Sequence, residues 1–250
     1  MGGSKHTVDK KVVAMVPART GSKRVLSKNL RYLGDKPLIS HVLDTISRTR
    51  VFDSVYVNSD GLIFQDFCKQ YGYEFFHRNA ELASDTSTND SFAYDFLKAI
   101  DCDLLVQILP TSPFLTKDDI ENFTSKLLDE NLKGLISVEA KQIACVYKGI
   151  PINFDKEKMN PPSQSMEPVY AYATALMGWD KKTYMKNYQE LGVAYHCPRG
   201  KTGFFVLDGP SAIDIDDESD FLLAEKLLAG LNATEETVPR YYNSEIEIRD

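Results

Sequence analysis

VVAMVPARTGSKRVLSKN, from Val12 to Asn29, opens with a short apolar run and passes into a loop of small and basic residues. Val12, Val13, Ala14, Met15 and Val16 show no polar alternation, which predicts a strand of a parallel sheet covered on both faces. Pro17 has no N–H to donate and stops the ladder. Ala18, Arg19, Thr20, Gly21, Ser22, Lys23 and Arg24 then combine backbone freedom at Gly21, hydroxyl groups and three cations. A polyphosphate site needs N–H groups that can turn inward and charges that persist at neutral pH. Lys28, Asn29 and Arg31 extend the cluster, with Asp35 the single acid before Lys36. From composition alone, a phosphate cradle and a solvated basic loop stand level.

Outward from this loop, strands and helices alternate. Leu38, Ile39, Val42, Leu43 and Ile46 recur at helical spacing, Ser54–Asn58 reads as a strand, Ile63–Tyr71 as a helix and Tyr73–His77 as a strand. Thr88-Asn89-Asp90 can cap a helix running to Ile100. Leu104–Leu109 is a further strand, broken by Pro110-Thr111-Ser112-Pro113; Asp118 and Asp119 open a helix to about Asn131, and Leu135–Val138 is another strand. The rhythm predicts an α/β fold with a doubly wound, mainly parallel sheet. In such sheets ligands sit beyond the carboxyl ends of the strands. The basic loop, Ser59-Asp60 and the Pro110–Pro113 turn all fall at such ends.

Between residues 139 and 195 prolines at 151, 161, 162 and 168 and short aromatic stretches replace the βα rhythm. This segment reads as a small inserted lobe that covers the site or pairs subunits, or as a long irregular connection. The rhythm resumes at Phe204–Leu207, and Asp216–Leu231 is a closing helix. The α/β core is thus expected at 11–138 and 196–235, with tails at 1–10 and 240–250.

The chain has 250 residues, 43% of them hydrophobic and 26% charged, and a net charge of −7. This is an ordinary globular composition, and the acidic balance argues against general nucleic-acid binding. No run is long enough for a membrane span, and the polar start has no signal-peptide pattern. Gly2 is followed by His6 where a myristoylation motif wants Ser or Thr. Cys68, Cys102, Cys145 and Cys197 stand apart, which predicts a reduced, cytoplasmic protein without zinc or disulfides. Sequons at Asn89, Asn122 and Asn232 carry no weight without secretion. His41, His77, His196 and Trp179 read as surface or packing residues.

The first strand is followed by neither GxGxxG nor GxxxxGK[ST], so the dinucleotide and P-loop fingerprints are absent. The second chemical feature is Ala212-Ile213-Asp214-Ile215-Asp216-Asp217. In extended backbone, side chains two apart point the same way, placing Asp214 and Asp216 on one face. Two such carboxylates suit Mg²⁺ when phosphates complete its shell. The other reading is that Asp216 or Asp217 caps the last helix.

Together VPARTGSKRVLSKN, LGDKPLI (Leu33–Ile39), RNAELASDTS (Arg78–Ser87), PTSPFLTKDDI (Pro110–Ile120) and IDIDDESDFLLAE (Ile213–Glu225) resemble the CMP-sialic acid synthetase (acylneuraminate cytidylyltransferase) family, and more distantly CMP-Kdo synthetases. The motifs occur in order from about residue 12 to 230. The resemblance implies a Rossmann-like nucleotidyltransferase fold and a homodimer whose inserted lobe reaches the partner's site. It implies transfer of CMP from CTP to the anomeric hydroxyl of an acidic 2-keto sugar, with pyrophosphate leaving. Arg19, Ser22, Lys23 and Lys28 would hold the triphosphate and Asn29 the nucleotide. Arg78 would lie near cytosine, and Asp214 and Asp216 would bind Mg²⁺. Ala18, Thr20, Gly21, Asp60 and Ser87 complete the expected nucleotide-binding set; Arg19, Lys28, Asp214 and Asp216 are the expected catalytic residues. No side chain stands out as a general base.

The acceptor side departs from the family pattern. Leu109 stands where a Gln or Asn commonly precedes the PTSP turn, with Gln107 two residues earlier. Ala173 and Thr174 stand where an Asn-Gly pair is typical, and ARTGSKR replaces the commoner ARGGSKG. Gln107, Leu109, Thr111, Ser112, Tyr170 and Tyr172 are the expected acceptor contacts. The lost polar groups suggest a less hydroxylated acceptor, such as a deoxy, acylamino nonulosonate. Another acidic acceptor, an octulosonate, or a non-catalytic CTP-binding protein are the alternatives.

Overall fold

A computed structural model describes residues 10–233. The expected tails, apart from Lys10, lie outside the described residues. β1 (Val12–Pro17) lies inside the sheet with a strand on either side, and its alternate side chains enter two different cores. Val12, Ala14 and Val16 face one and Val13 and Met15 the other, which is why the run is apolar without alternation.

The short hairpin β2 (Tyr32–Leu33) and β3 (Lys36–Pro37) delivers α1 (Leu38–Ser47). There follow β4 (Ser54–Ser59), α2 (Phe64–Tyr71), β5 (Glu74–His77), α3 (Asn89–Ala99), β6 (Leu104–Ile108) and α4 (Lys117–Asp129). β7 (Gly134–Lys141) leads to a small hairpin, β8 (Val146–Tyr147) and β9 (Ile150–Pro151). β10 (Val169–Asp180), α5 (Lys181–Leu191), β11 (Thr202–Val206) and α6 (Glu218–Leu231) complete the described residues. The helix starts are chemically marked. Thr88 accepts from Ser91 N–H, Asp180 from Thr183 N–H, and Thr116/Asp119 and Asp217/Asp220 form reciprocal capping boxes.

The seven-stranded sheet has the order β11-β7-β10-β6-β1-β4-β5. The pairs β1–β4, β1–β6, β4–β5 and β7–β11 are parallel, whereas β10 runs antiparallel to both β6 and β7. Residues of α1, α2 and α4 pack on one face, and α3 and α5 on the other. α4 lies close enough to β10 that a Cβ on Gly178 would sit 2.7 Å from Leu127 and 3.0 Å from Phe123. α6 packs its Phe221 and Ala224 with Val25, Leu33, Leu38 and Ile215 in a third cluster beneath the basic loop.

The segment 139–195 is not one unit in space. Leu176–Asp180 of β10 pairs with β6 inside the main sheet, and α5 packs in the same core as α3. Only the hairpin β8–β9 and the connections around it, up to the first half of β10, depart from the layered core. A bulge between Tyr172 and Met177 shifts the register of β10 against β7 and breaks the period that would mark a strand. No helix among the described residues is long and apolar enough to cross a membrane.

Candidate active site

β1 is the point where the strand order reverses: β4 and β5 lie to one side of it and β6 to the other. A cavity of about 460 Å³ opens at the carboxyl ends of these strands. Its lining comes from Pro17 and the first loop, from Arg78 after β5, from Leu109, Pro110 and Thr111 after β6, and from Asp214 and Asp216 before α6. Ligand sites of doubly wound sheets form at such switch points.

The first loop crosses the cavity mouth and is tied at both ends. Ala18 N–H donates to the Asn58 carbonyl at 2.9 Å. Thr20 donates its N–H (3.0 Å) and its hydroxyl to Asp60. Burial opposes ionisation of Asp60, yet these two donors hold its pKa below the ordinary carboxylate value. Gly61 makes this contact possible, since a Cβ there would lie 2.2 Å from Thr20 Cγ2. Gly21, by contrast, is exposed with nothing within 4 Å of a built Cβ and has no positive φ, so this conformation makes no demand for glycine there.

Among the cations, Arg19 pairs with Asp85 at 3.0 Å and Lys23 with the same carboxylate. Lys23 and then Arg19 keep Asp85 strongly ionised. Arg24 reaches Asp216 at 2.8 Å, and Lys28 lies 3.7 Å from the same group while donating to the Ile215 carbonyl. The Lys28 side chain is only 11% exposed. Burial lowers its pKa, and Asp216 and Asp214 pull it back up. Asn29 donates to the Arg19 carbonyl at 3.3 Å and leaves its buried Oδ1 without a partner.

Asp214 and Asp216 both line the cavity, while Ile215 between them is buried beneath. Their spacing is fixed from both sides. Ile215 N–H donates to the Thr111 carbonyl at 2.9 Å, and Asp220 accepts from Asp216 N–H at 2.9 Å. Asp217 is the residue that caps α6, so neither carboxylate of the pair is spent on the cap. Burial raises the pKa of Asp214 despite the Thr111 hydroxyl and Lys28, and its Oδ1 is buried with no hydrogen-bond partner. An orphaned, desolvated carboxylate oxygen beside a second carboxylate is a donor set that suits Mg²⁺. No group of three or more His, Cys, Asp or Glu side chains able to hold a metal exists among the described residues. This pair would therefore need ligand oxygens to complete the coordination shell.

The cavity brings together Arg19, Ser22, Lys23, Lys28, Asn29, Arg78, Leu109, Thr111, Asp214 and Asp216. The other expected residues stand outside its lining. Ala18 is fully buried in the sheet core, Thr20 and Asp60 are spent on each other, and Ser87 shares a 3.2 Å contact with Ser91 at the start of α3. Gln107 and Ser112 are buried, each with an unpartnered oxygen. Tyr170 and Tyr172 are exposed on β10 against Phe204 and His196. Missing from the expected set were Asp85, which pairs with two loop cations, and Phe92, over which Arg78 stacks at 4.3 Å. Asp85 lies inside RNAELASDTS, and its acid amid small residues was the available signal.

The β10 bulge reaches the site through one bond, Leu109 N–H to the Ala175 carbonyl at 2.9 Å. Thr174 within it has φ of 55°, a left-handed conformation that strains a β-branched residue. The strained residue therefore sits in the segment that supports Leu109, on the cavity wall.

Comparisons with known proteins agree with this architecture. An N-acylneuraminate cytidylyltransferase of Escherichia coli is 27% identical over 231 residues, covering 86% of this chain and 51% of that protein. A CMP-N,N'-diacetyllegionaminic acid synthase of Legionella pneumophila is 26% identical over 227 residues, covering 87% of this chain and 96% of that protein. The chain thus spans about half the length of the E. coli relative and of similar streptococcal ones. A CMP:2-keto-3-deoxy-manno-octonic acid synthetase complexed with CTP shares the fold, with a TM-score of 0.68 at 15% identity over 88% of this chain and 99% of that one. A 4-diphosphocytidyl-2C-methyl-D-erythritol synthase of Anaerococcus prevotii does so with a TM-score of 0.63 at 18% identity, over 88% and 99%. The cytidylyltransferase family model matches residues 13–190, from the strand that feeds the basic loop to the helix after β10, and the chain belongs to the cytidylyltransferase family.

Proposed function

We propose that this protein transfers CMP from CTP to the anomeric hydroxyl of an acidic 2-keto sugar of the nonulosonate class, releasing pyrophosphate. The observation that carries this reading is the meeting of Arg19, Lys23 and Lys28 with Asp214 and Asp216 in one cavity at the sheet's switch point. Relatives named for N-acylneuraminate and N,N'-diacetyllegionaminic acid support the acceptor class. Leu109 in the cavity lining offers an acceptor no side-chain hydrogen bond, which favours one with few hydroxyls on the side it presents.

In this reading the loop cations take the β- and γ-phosphates. Arg19 and Lys23 exchange Asp85 for the ligand and stabilise the charge that builds on the leaving pyrophosphate. Lys28, held by the Ile215 carbonyl, sets the loop against the carboxylate segment and so fixes the α-phosphorus for in-line attack by the acceptor hydroxyl. Asn29 Oδ1, buried and unpartnered, is an acceptor for a donor on the nucleotide. Asp214 and Asp216 would hold Mg²⁺, which when bound supplies Lewis-acid polarisation of the phosphate oxygens.

Pyrophosphate release from CTP against a panel of nonulosonic and octulosonic acids tests the reading. Turnover should require CTP, a divalent cation and a nonulosonate, and should stop in EDTA. Activity persisting in EDTA would remove the metal role, and turnover with octulosonates alone would reassign the acceptor.

We further infer a cytoplasmic homodimer. Val146, Tyr147, Ile150 and Ile152 are exposed around the β8–β9 hairpin, and Tyr170, Tyr172, Phe204 and Val206 along the adjoining strands. Exposed apolar side chains gathered in this way mark an interaction surface. Sedimentation at micromolar concentration should give twice the chain mass of 28.2 kDa, and a single-chain mass would reject the dimer.

A further inference from the structure

Arg78 is the one cation of the cavity that the basic loop does not supply. It is 4% exposed, and its backbone N–H bonds the Ser59 carbonyl at 2.8 Å. One edge of its guanidinium is taken by a single residue: Nε donates to Asn58 Oδ1 at 2.7 Å and Nη2 to the Asn58 carbonyl at 2.9 Å. Phe92 covers a face of the same group. Nη1 makes no hydrogen bond among the described residues.

The anchor is electrically neutral. Asn58 is fully buried, and its Nδ2 is turned to the Met15 sulfur at 3.1 Å, which leaves Oδ1 aimed at Arg78. Asp60 is the carboxylate whose charge acts on Arg78, but its oxygens are held by Thr20. Burial brings the guanidinium down to about 10, and it still carries its proton at neutral pH. The group is thus charged and fixed in direction. Phe92, Leu109, Pro17 and Pro110 line the cavity with it, and Arg19 is the loop cation whose charge acts on it.

We propose that Asn58 is a positioning residue: by binding Nε and Nη2 it aims Nη1 of Arg78 at the nucleoside half of the ligand and leaves the charge of Arg78 unspent. The proposal rests on the CTP reading above and adds to it a residue outside the cavity lining. Nη1 donates to a carbonyl or ring nitrogen of the base, the acceptor atoms a cytosine edge offers.

Calorimetric titration of the full chain with CTP and with inorganic triphosphate, Mg²⁺ present in both, separates aim from general damage. Asn58→Leu should weaken CTP by about tenfold to a hundredfold, because the buried Nε loses its side-chain acceptor and the guanidinium is left held by the backbone carbonyl of residue 58 alone. Inorganic triphosphate, which needs only the loop, should change by less than about twofold. In an Arg78→Ala background Asn58→Leu should cost little more for CTP, since residues acting through one another are not additive. Equal weakening of both ligands, or effects that multiply across the two substitutions, would overturn the assignment. Should Asn58→Leu fail to fold, Asn58→Ser, which shortens the acceptor, is expected to give the same split between ligands. Wild-type protein that binds triphosphate but not CTP would remove the CTP reading itself, and the proposal with it.

Discussion

Asp214→Asn is expected to cut turnover at least about a hundredfold, roughly 2.7 kcal/mol of transition-state stabilisation, while leaving the fold intact or more stable. The two effects share one cause. Burial works against the charge of Asp214 and Asp216 adds repulsion; the Thr111 hydroxyl and Lys28 offset this only in part, and Oδ1 has no partner. In the proposed reading, the free protein carries an unfavourable carboxylate whose use would come with a cation and phosphates. Asn has the same shape without the charge, so it relieves the free state and abolishes the use. Pyrophosphate release at saturating CTP and Mg²⁺, together with thermal unfolding of the free protein, reads both halves. Activity above a tenth of wild type would reject the assignment, and a clear drop in Tm would show that Asp214 is structural.

Lys28→Met should weaken CTP by on the order of a hundredfold and, unlike the change at Asp214, should also destabilise the free protein. Lys28 is the one loop cation that is largely buried, and it links the loop to the Ile215 carbonyl and Asp216. Met fills the same volume, so the loss isolates charge and hydrogen bond from packing. It leaves a carbonyl unpaired and Asp216 with Arg24 alone, on the exposed side of the cavity. Calorimetric titration with CTP and urea unfolding measure the two losses. An affinity within twofold of wild type would move the phosphate site away from this loop. Lys23→Met should weaken binding less, because the Lys23 side chain is mostly in solvent.

What could be read from the chain before folding follows the range of the interactions. β1 was legible because an unbroken apolar run has one meaning in a two-sided sheet, and α3 because Thr88 and its neighbours announce a cap. Asp214 and Asp216 were legible because extended backbone repeats every two residues. β10 was not, since its antiparallel insertion between β6 and β7 is a choice of partner rather than of conformation, and its bulge erases the alternation. Asp85 escaped for a similar reason. Nothing local ties it to Arg19 and Lys23, some sixty residues earlier, until the loop after β5 folds back across β4 and β1. Tyr170 and Tyr172 read as ligand contacts because aromatics near a site invite it, yet the strand turns them toward Phe204 and His196. Gln107 is a buried polar residue within β6 and stands outside the cavity lining.

Asp85 has a consequence for how any polyanion enters. The carboxylate already sits among the cations, like a placeholder cast in the shape of a phosphate, so the loop is gathered before a ligand arrives. Entry is then a swap of one anion for another rather than the capture of an anion by loose charges. A swap changes the local net charge by less than a capture does, so its response to added salt is shallower than five nearby cations would suggest. In the proposed reading it would also run in reverse: when the polyanion leaves, the same carboxylate would return to Arg19 and Lys23 and leave the loop assembled.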